Sequence, residues 1–174
     1  DPDVPNVGTA GLMGHTPCTI WVSRWDEWHA LPAPDVEFLE DRIRAHLVVP
    51  AEHPVRVTNV IPSPYSETVE FLKQRAAAMP EHAEYIEIGE SAEGRPIPGI
   101  RVTRDLDGKG KPRFVVFSGQ HPIEFPGVWG SRGIVHFLTS RLAQAARIRD
   151  AYEVVVLPLV NPDGTVHGLS LIHI

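Results

Sequence analysis

Two short β-branched runs, Phe114-Val115-Val116-Phe117 and Val154-Val155-Val156-Leu157, are continuously apolar rather than alternating. That pattern predicts strands covered on both faces. Between them, from about Gly127, Val128, Val135, Leu138 and Leu142 recur at helical spacing. Strand, helix, strand at this separation predicts a right-handed βαβ unit whose two strands run parallel. Gly127, Gly130 and Gly133 fall every third residue of that helix. Each costs ~1 kcal/mol against Ala in a helix interior, which predicts close packing on the sheet as compensation.

Upstream, Tyr85 to Gly89 and Ile97 to Val102 form a hairpin across Ser91-Ala92-Glu93-Gly94-Arg95, with Gly94 as the positive-φ residue. Before it, Ser66 is the expected N-cap of a helix with Glu67 in its first turn. Val69, Leu72, Ala76 and Met79 make its buried stripe, and Pro80 ends it. Another helix is expected to open at Pro34-Asp35, with Val36, Leu39, Ile43 and Leu47 on one face and Pro50 and Pro54 as stops. Val55 to Val60 alternates as a strand. Residues 1–34 read as loop with one short strand at Thr19-Ile20-Trp21-Val22, and Trp21, Trp25, Trp28 and His29 there read as aromatic packing. The expected class is α/β: a mixed, partly parallel sheet with helices on both faces.

Composition narrows the function classes. A net charge of −6 argues against duplex nucleic-acid binding, which needs a basic face. Cys18 stands alone, which excludes an internal disulfide and a cysteine zinc site; it reads as a small buried hydrophobe, and sparse cysteine favours the cytoplasm. No apolar run approaches the ~18 residues of a membrane span. The chain opens at Asp1-Pro2 without Met, so an upstream stretch is expected.

Candidate chemistry collects after Phe117. The strand breaks at Ser118-Gly119, and His121 and Glu124 follow in His121-Pro122-Ile123-Glu124 before the helix. An imidazole and a carboxylate three residues apart can converge on one metal ion, and open α/β sheets place their chemistry at such strand ends. A surface His beside a helix-start Glu explains the same residues through the helix dipole. Motifs for the commonest metalloprotease helix, the nucleophile elbow, the P-loop and dinucleotide binding are absent. His136 reads as packing or surface, and His167, just past Asn161-Pro162-Asp163-Gly164, as a candidate for the site's edge.

Four stretches together, Pro62-Ser63-Pro64-Tyr65-Ser66, Gly89 to Ile97, Gly119 to Glu124 and Asn161 to Gly164, resemble the M14 zinc carboxypeptidases. The similarity covers about Ile61 to His167. It is strongest to the cytosolic carboxypeptidase-like branch, although Ile123 stands where that branch has Gly. Residues 1–60 do not match the β-sandwich that precedes the catalytic domain in that branch. The resemblance implies zinc as cofactor and His121 and Glu124 as two of three protein ligands. It implies hydrolysis of C-terminal residues from peptides or proteins, with neither nucleic acid nor membrane as partner. It also implies that the third ligand, the general base and the specificity residues lie beyond Ile174, so this chain by itself is expected to be inactive. Two alternatives stay open: a zinc acylase or cell-wall amidase of related fold, and a non-catalytic binding domain. The expected organisation is an N-terminal segment at 1–60, the first half of a carboxypeptidase domain at 61–168, and a non-native tail at 169–174 in which His173 is no ligand.

Overall fold

The computed structural model describes residues 19–24, 27–39, 42–51, 54–107 and 110–169. The chain divides into two compact units, Asp1–Ile61 and Pro62–Ile174. Cys18, Trp25 and His173 lie outside the described residues.

In the first unit, β1 (Trp21–Arg24) pairs antiparallel with β2 (Glu27–Ala30). Ile20, Val22 and Ser23 are buried. β2 is thus a second strand where loop was expected. The helix expected from Pro34 does not form. Only a 3₁₀ turn at Ala33–Asp35 precedes a hairpin of β3 (Val36–Phe38) and β4 (Ile43–Ala45). Val36-Glu37-Phe38 alternates as well as it fits a helix, and tertiary pairing decides between the two. Glu37 lies opposite Arg44 across the hairpin, and their side chains meet at 2.8 Å. β5 (Arg56–Thr58) then closes the three-stranded sheet on the free edge of β1.

The second unit begins with α1 (Tyr65–Ala77). Pro64, not Ser66, holds the N-cap position and supplies no side-chain bond. The buried stripe is Thr68, Leu72 and Ala76. Thr68 replaces the expected Val69 because its hydroxyl meets Ser63 Oγ at 3.1 Å inside the protein, satisfying both buried hydroxyls. A four-stranded sheet follows in the order β6 (Ala83–Glu90), β7 (Pro96–Val102), β9 (Glu153–Leu157), β8 (Arg113–Phe117). β6 and β7 form the expected hairpin, with Gly94 at φ +74°. β8 and β9 pair in parallel, and β7 and β9 antiparallel.

Between β8 and β9 run two helices, α2 (Phe125–Leu138) and α3 (Ala143–Ala151). α2 ends where two guanidiniums collect its last carbonyls. Arg149 Nη1 donates to Leu138 O and Ser140 O, and Arg75 Nη2 donates to Thr139 O. Those groups would otherwise be unpaired, and the cations meet the negative end of the helix dipole. Leu142 therefore falls outside the helix and is exposed. The core joins Leu72 and Ala76 of α1, Val135 and Leu138 of α2, and Ile100, Val102, Val154 and Val156 of the sheet.

Two expectations are overturned here. β8 is an edge strand, not a covered one: Phe114, Val115 and Phe117 are each more than half exposed, whereas every residue of β9 is buried. Similar apolar runs thus occupy different depths, because depth depends on sheet order, which a run's composition does not encode. The glycine triplet also lacks the predicted close packing. A Cβ at Gly130 or Gly133 would meet nothing within 4 Å, and at Gly127 only Ser118 at 3.4 Å.

Candidate metal centre

Beyond Phe117 the chain must leave the sheet, and local chemistry fixes how. Ser118 N still donates to Leu157 O, and Ser118 Oγ donates to Pro158 O at 2.7 Å and meets Ser131 Oγ of α2 at 2.8 Å. Gly119 then turns at φ +69°. A Cβ there would lie 2.9 Å from Leu159 Cα and 3.0 Å from Pro158 O, so both conformation and space require glycine. His121 to Glu124 forms a turn closed by Glu124 N donating to His121 O at 3.1 Å. Glu124 is the N-cap residue of α2, and Pro126 lies in its first turn.

This geometry brings the two predicted residues together. His121 Nδ1 and Glu124 Oε2 are 3.0 Å apart, and both side chains are about half exposed, at 41% and 50%. Two ligands with bonds of about 2.0–2.1 Å in tetrahedral array around zinc stand about 3.3 Å apart. One imidazole nitrogen and one carboxylate oxygen at this separation fit two corners of such a site. The same distance also suits a hydrogen bond from a protonated imidazole. Among the described residues, no group of three His, Cys, Asp or Glu side chains is placed to hold a metal.

The Asn161–Gly164 segment abuts the loop, as the parallel pairing of β8 and β9 requires. It opens α4 (Pro162–His167), whose N-cap Asn161 accepts from Gly164 N at 3.0 Å. Asn161 also donates outward, from its backbone N to Gly119 O at 3.1 Å and from Nδ2 to Gln120 O at 3.1 Å. Buried Pro122 packs against Gly164 closely enough that any Cβ there would collide with its ring.

Sequence reasoning missed a polar cluster on the far side of this turn. Asp163 Oδ1 accepts from Ser91 Oγ at 2.7 Å and from Arg95 Nη1 at 2.6 Å, and Oδ2 accepts from Glu93 N at 3.1 Å. Burial alone would raise the Asp163 carboxyl, but the bonds from Ser91 and Arg95 outweigh it and hold the group below its usual range. Glu93 is lowered as well, by Arg95 first and His167 second. His167 Nε2 sits 2.8 Å from Glu93 Oε1, so it belongs to this cluster. His136 is exposed on α2. The available signal was two turn motifs, each carrying charge beyond what its turn needs.

The sequence profile of the zinc carboxypeptidases matches residues 68–170, more than half of the chain. The chain belongs to the M14 zinc carboxypeptidase family. Relatives include an inactive metallocarboxypeptidase of Ajellomyces capsulatus, 31% identical over 109 residues, or 60% of this chain and 18% of that protein. Zinc carboxypeptidase A 1 of Drosophila melanogaster is 30% identical over 105 residues, covering 58% of this chain and 24% of the fly protein. Cytosolic carboxypeptidase 2 of Danio rerio is 40% identical over 60 residues, or 34% of this chain and 8% of the fish protein. The chain thus spans less than a quarter of the length of each of these curated relatives. Among solved structures, a metallo-carboxypeptidase of Burkholderia cenocepacia superposes with a TM-score of 0.70 at 25% identity, covering 88% of this chain and 40% of its own. A metallo-carboxypeptidase of Pseudomonas aeruginosa, bound to (2-guanidinoethylmercapto)succinic acid, shares the fold with a TM-score of 0.72 at 24% identity, over 88% of this chain and 39% of its own. A match of 88% exceeds what residues 62–174 alone can supply, so it extends into the first unit.

Proposed function

We propose that this chain carries the first two protein ligands of a zinc-dependent carboxypeptidase that removes C-terminal residues from peptides or proteins. The observation that supports this reading is the convergence of His121 Nδ1 and Glu124 Oε2 at 3.0 Å beyond the end of β8. Zinc held there would supply a Lewis acid for the scissile amide. The chain's own part is to orient the two donors. The turn bond Glu124 N to His121 O, the N-cap position of Glu124, and the anchoring of the 119–122 segment on Asn161 and Gly164 fix both side chains from their backbones. Preorganised ligands lose less freedom on binding an ion than mobile ones.

A second reading has one observation in its favour: several curated relatives at about 30% identity are named inactive. On that reading the domain binds peptide without cleaving it. Release of C-terminal amino acids from unblocked peptides by the whole protein, measured with zinc supplied, tests the first reading. Turnover is expected in the wild type, with a loss of at least a hundredfold in His121→Ala. Peptide binding without turnover at any zinc concentration contradicts hydrolysis and supports the second reading.

A further inference from the structure

We propose that Asp163 is a positioning residue for the His121–Glu124 pair, acting through the turn at the start of α4. This inference rests on the zinc reading above but makes its own structural claim. Asp163 forms no hydrogen bond or ion pair with His121 or Glu124. Its carboxylate instead gathers three donors from the β6–β7 turn, Ser91 Oγ, Arg95 Nη1 and Glu93 N. Its side chain is only 16% exposed, so these bonds are largely shielded from water and from screening. Ser91 Oγ also accepts from Arg95 N at 3.0 Å, and Ser91 N donates to Arg95 O at 2.9 Å. The turn that grips Asp163 is therefore itself closed.

Two residues before Asp163 and one after, the N-cap and first turn of the same short helix face the 119–124 loop. Asn161 holds the Gly119 and Gln120 carbonyls, and Gly164 receives Pro122. Six residues of α4 cannot hold such a position by their own helical bonds, since short helices are marginal in isolation. β9 leads into it, and Asn161 and Gly164 hold it to the 119–122 segment. On its other side the carboxylate of Asp163 ties it to the β6–β7 turn. Removing that tie loosens α4 on this side. The loop bearing His121 and Glu124 then loses the surface against which Pro122 packs. Outlying groups that orient ligands commonly change metal affinity 10–100-fold when removed.

The whole protein, which the zinc reading expects to supply the third ligand, serves for the test. Native-state hydrogen exchange is measured by NMR in the wild type and in Asp163→Ala, Ser91→Ala and His167→Ala. Each is then titrated with ZnCl₂ while the His121 imidazole nitrogens are followed. In Asp163→Ala, exchange at Glu124, Asn161 and Gly164 should rise about tenfold while the amides of β7 and β9 stay within about twofold, and zinc affinity at His121 should fall about tenfold. Ser91→Ala removes one of the three bonds and should shift the same amides less; it carries the decision if Asp163→Ala does not fold. His167→Ala breaks only the outer pair with Glu93 and should leave the 119–124 loop as it was. Faster exchange confined to residues 91–95, with the 119–124 amides unchanged, would overturn the proposal. Failure of the wild type to bind zinc at His121 overturns the zinc reading, and the exchange pattern alone then decides this one.

Discussion

Gly164 and Gly133, 31 residues apart, show how differently one residue type is used. A Cβ at Gly164 would strike Pro122 and stand 2.8 Å from Asn161 Nδ2. Gly164→Ala is thus an overpacking change at the joint between α4 and the metal loop, and should cost ~1–3 kcal/mol. Gly133 lies inside α2, and a Cβ there would meet nothing within 4 Å. Gly133→Ala should therefore stabilise the protein by ~1 kcal/mol through helix propensity. Urea unfolding of the two variants should give shifts of opposite sign; shifts of the same sign would show that the packing around one of them is misread. From the sequence, spacing suggested that the glycines of α2 were the close contacts. The tight position was instead in a turn motif, where Gly is expected for other reasons. The juxtaposition of His121 and Glu124 was more legible, because both fall in one short loop between a strand and a helix. Asp163, Ser91 and Arg95 were not, since 72 residues separate Ser91 from Asp163 and nothing local marks the pairing.

Sheet order governs the behaviour of β8. Among the described residues no strand pairs with its outer edge, where Phe114, Val115 and Phe117 are all more than half exposed, and such an edge can template another strand. Val115→Lys should reduce self-association of the 174-residue chain in light scattering, with little change in far-UV circular dichroism. Equal association in variant and wild type would show that the contact lies elsewhere. β9, by contrast, is flanked by β7 and β8. The clamp between the β6–β7 turn and α4 has a pH signature. Asp163 and Glu93 titrate below their usual range when folded. Their stabilisation is complete above the ordinary carboxylate range, near pH 4, and is lost as pH falls through the lower folded-state values. Asp163→Asn should have a lower Tm than the wild type at pH 7, and the two curves should converge as the pH falls below the ordinary carboxylate range, about 4. A difference that stays constant with pH would remove Asp163 from that titration.

At the scale of the molecule, the second unit was far more legible than the first. Its strands and helices carry strong single-period patterns, and the βαβ connection admits one handedness. In the first unit, strands of three or four residues are too short for periodicity to separate from a helix. Val36, Leu39, Ile43 and Leu47 fit a helical stripe, yet the chain pairs Glu37 with Arg44 in a hairpin. The profile match runs from Thr68, within α1, through α4 and includes the His121–Glu124 loop. The central claim is that His121 and Glu124 are ligands of one zinc ion, and metal content tests it most directly. The whole protein and its His121→Ala and Glu124→Ala variants are purified identically, equilibrated with limiting zinc and analysed by atomic emission. The account predicts close to one zinc per wild-type molecule and a loss of most of it in both variants. Equal zinc in all three would contradict it.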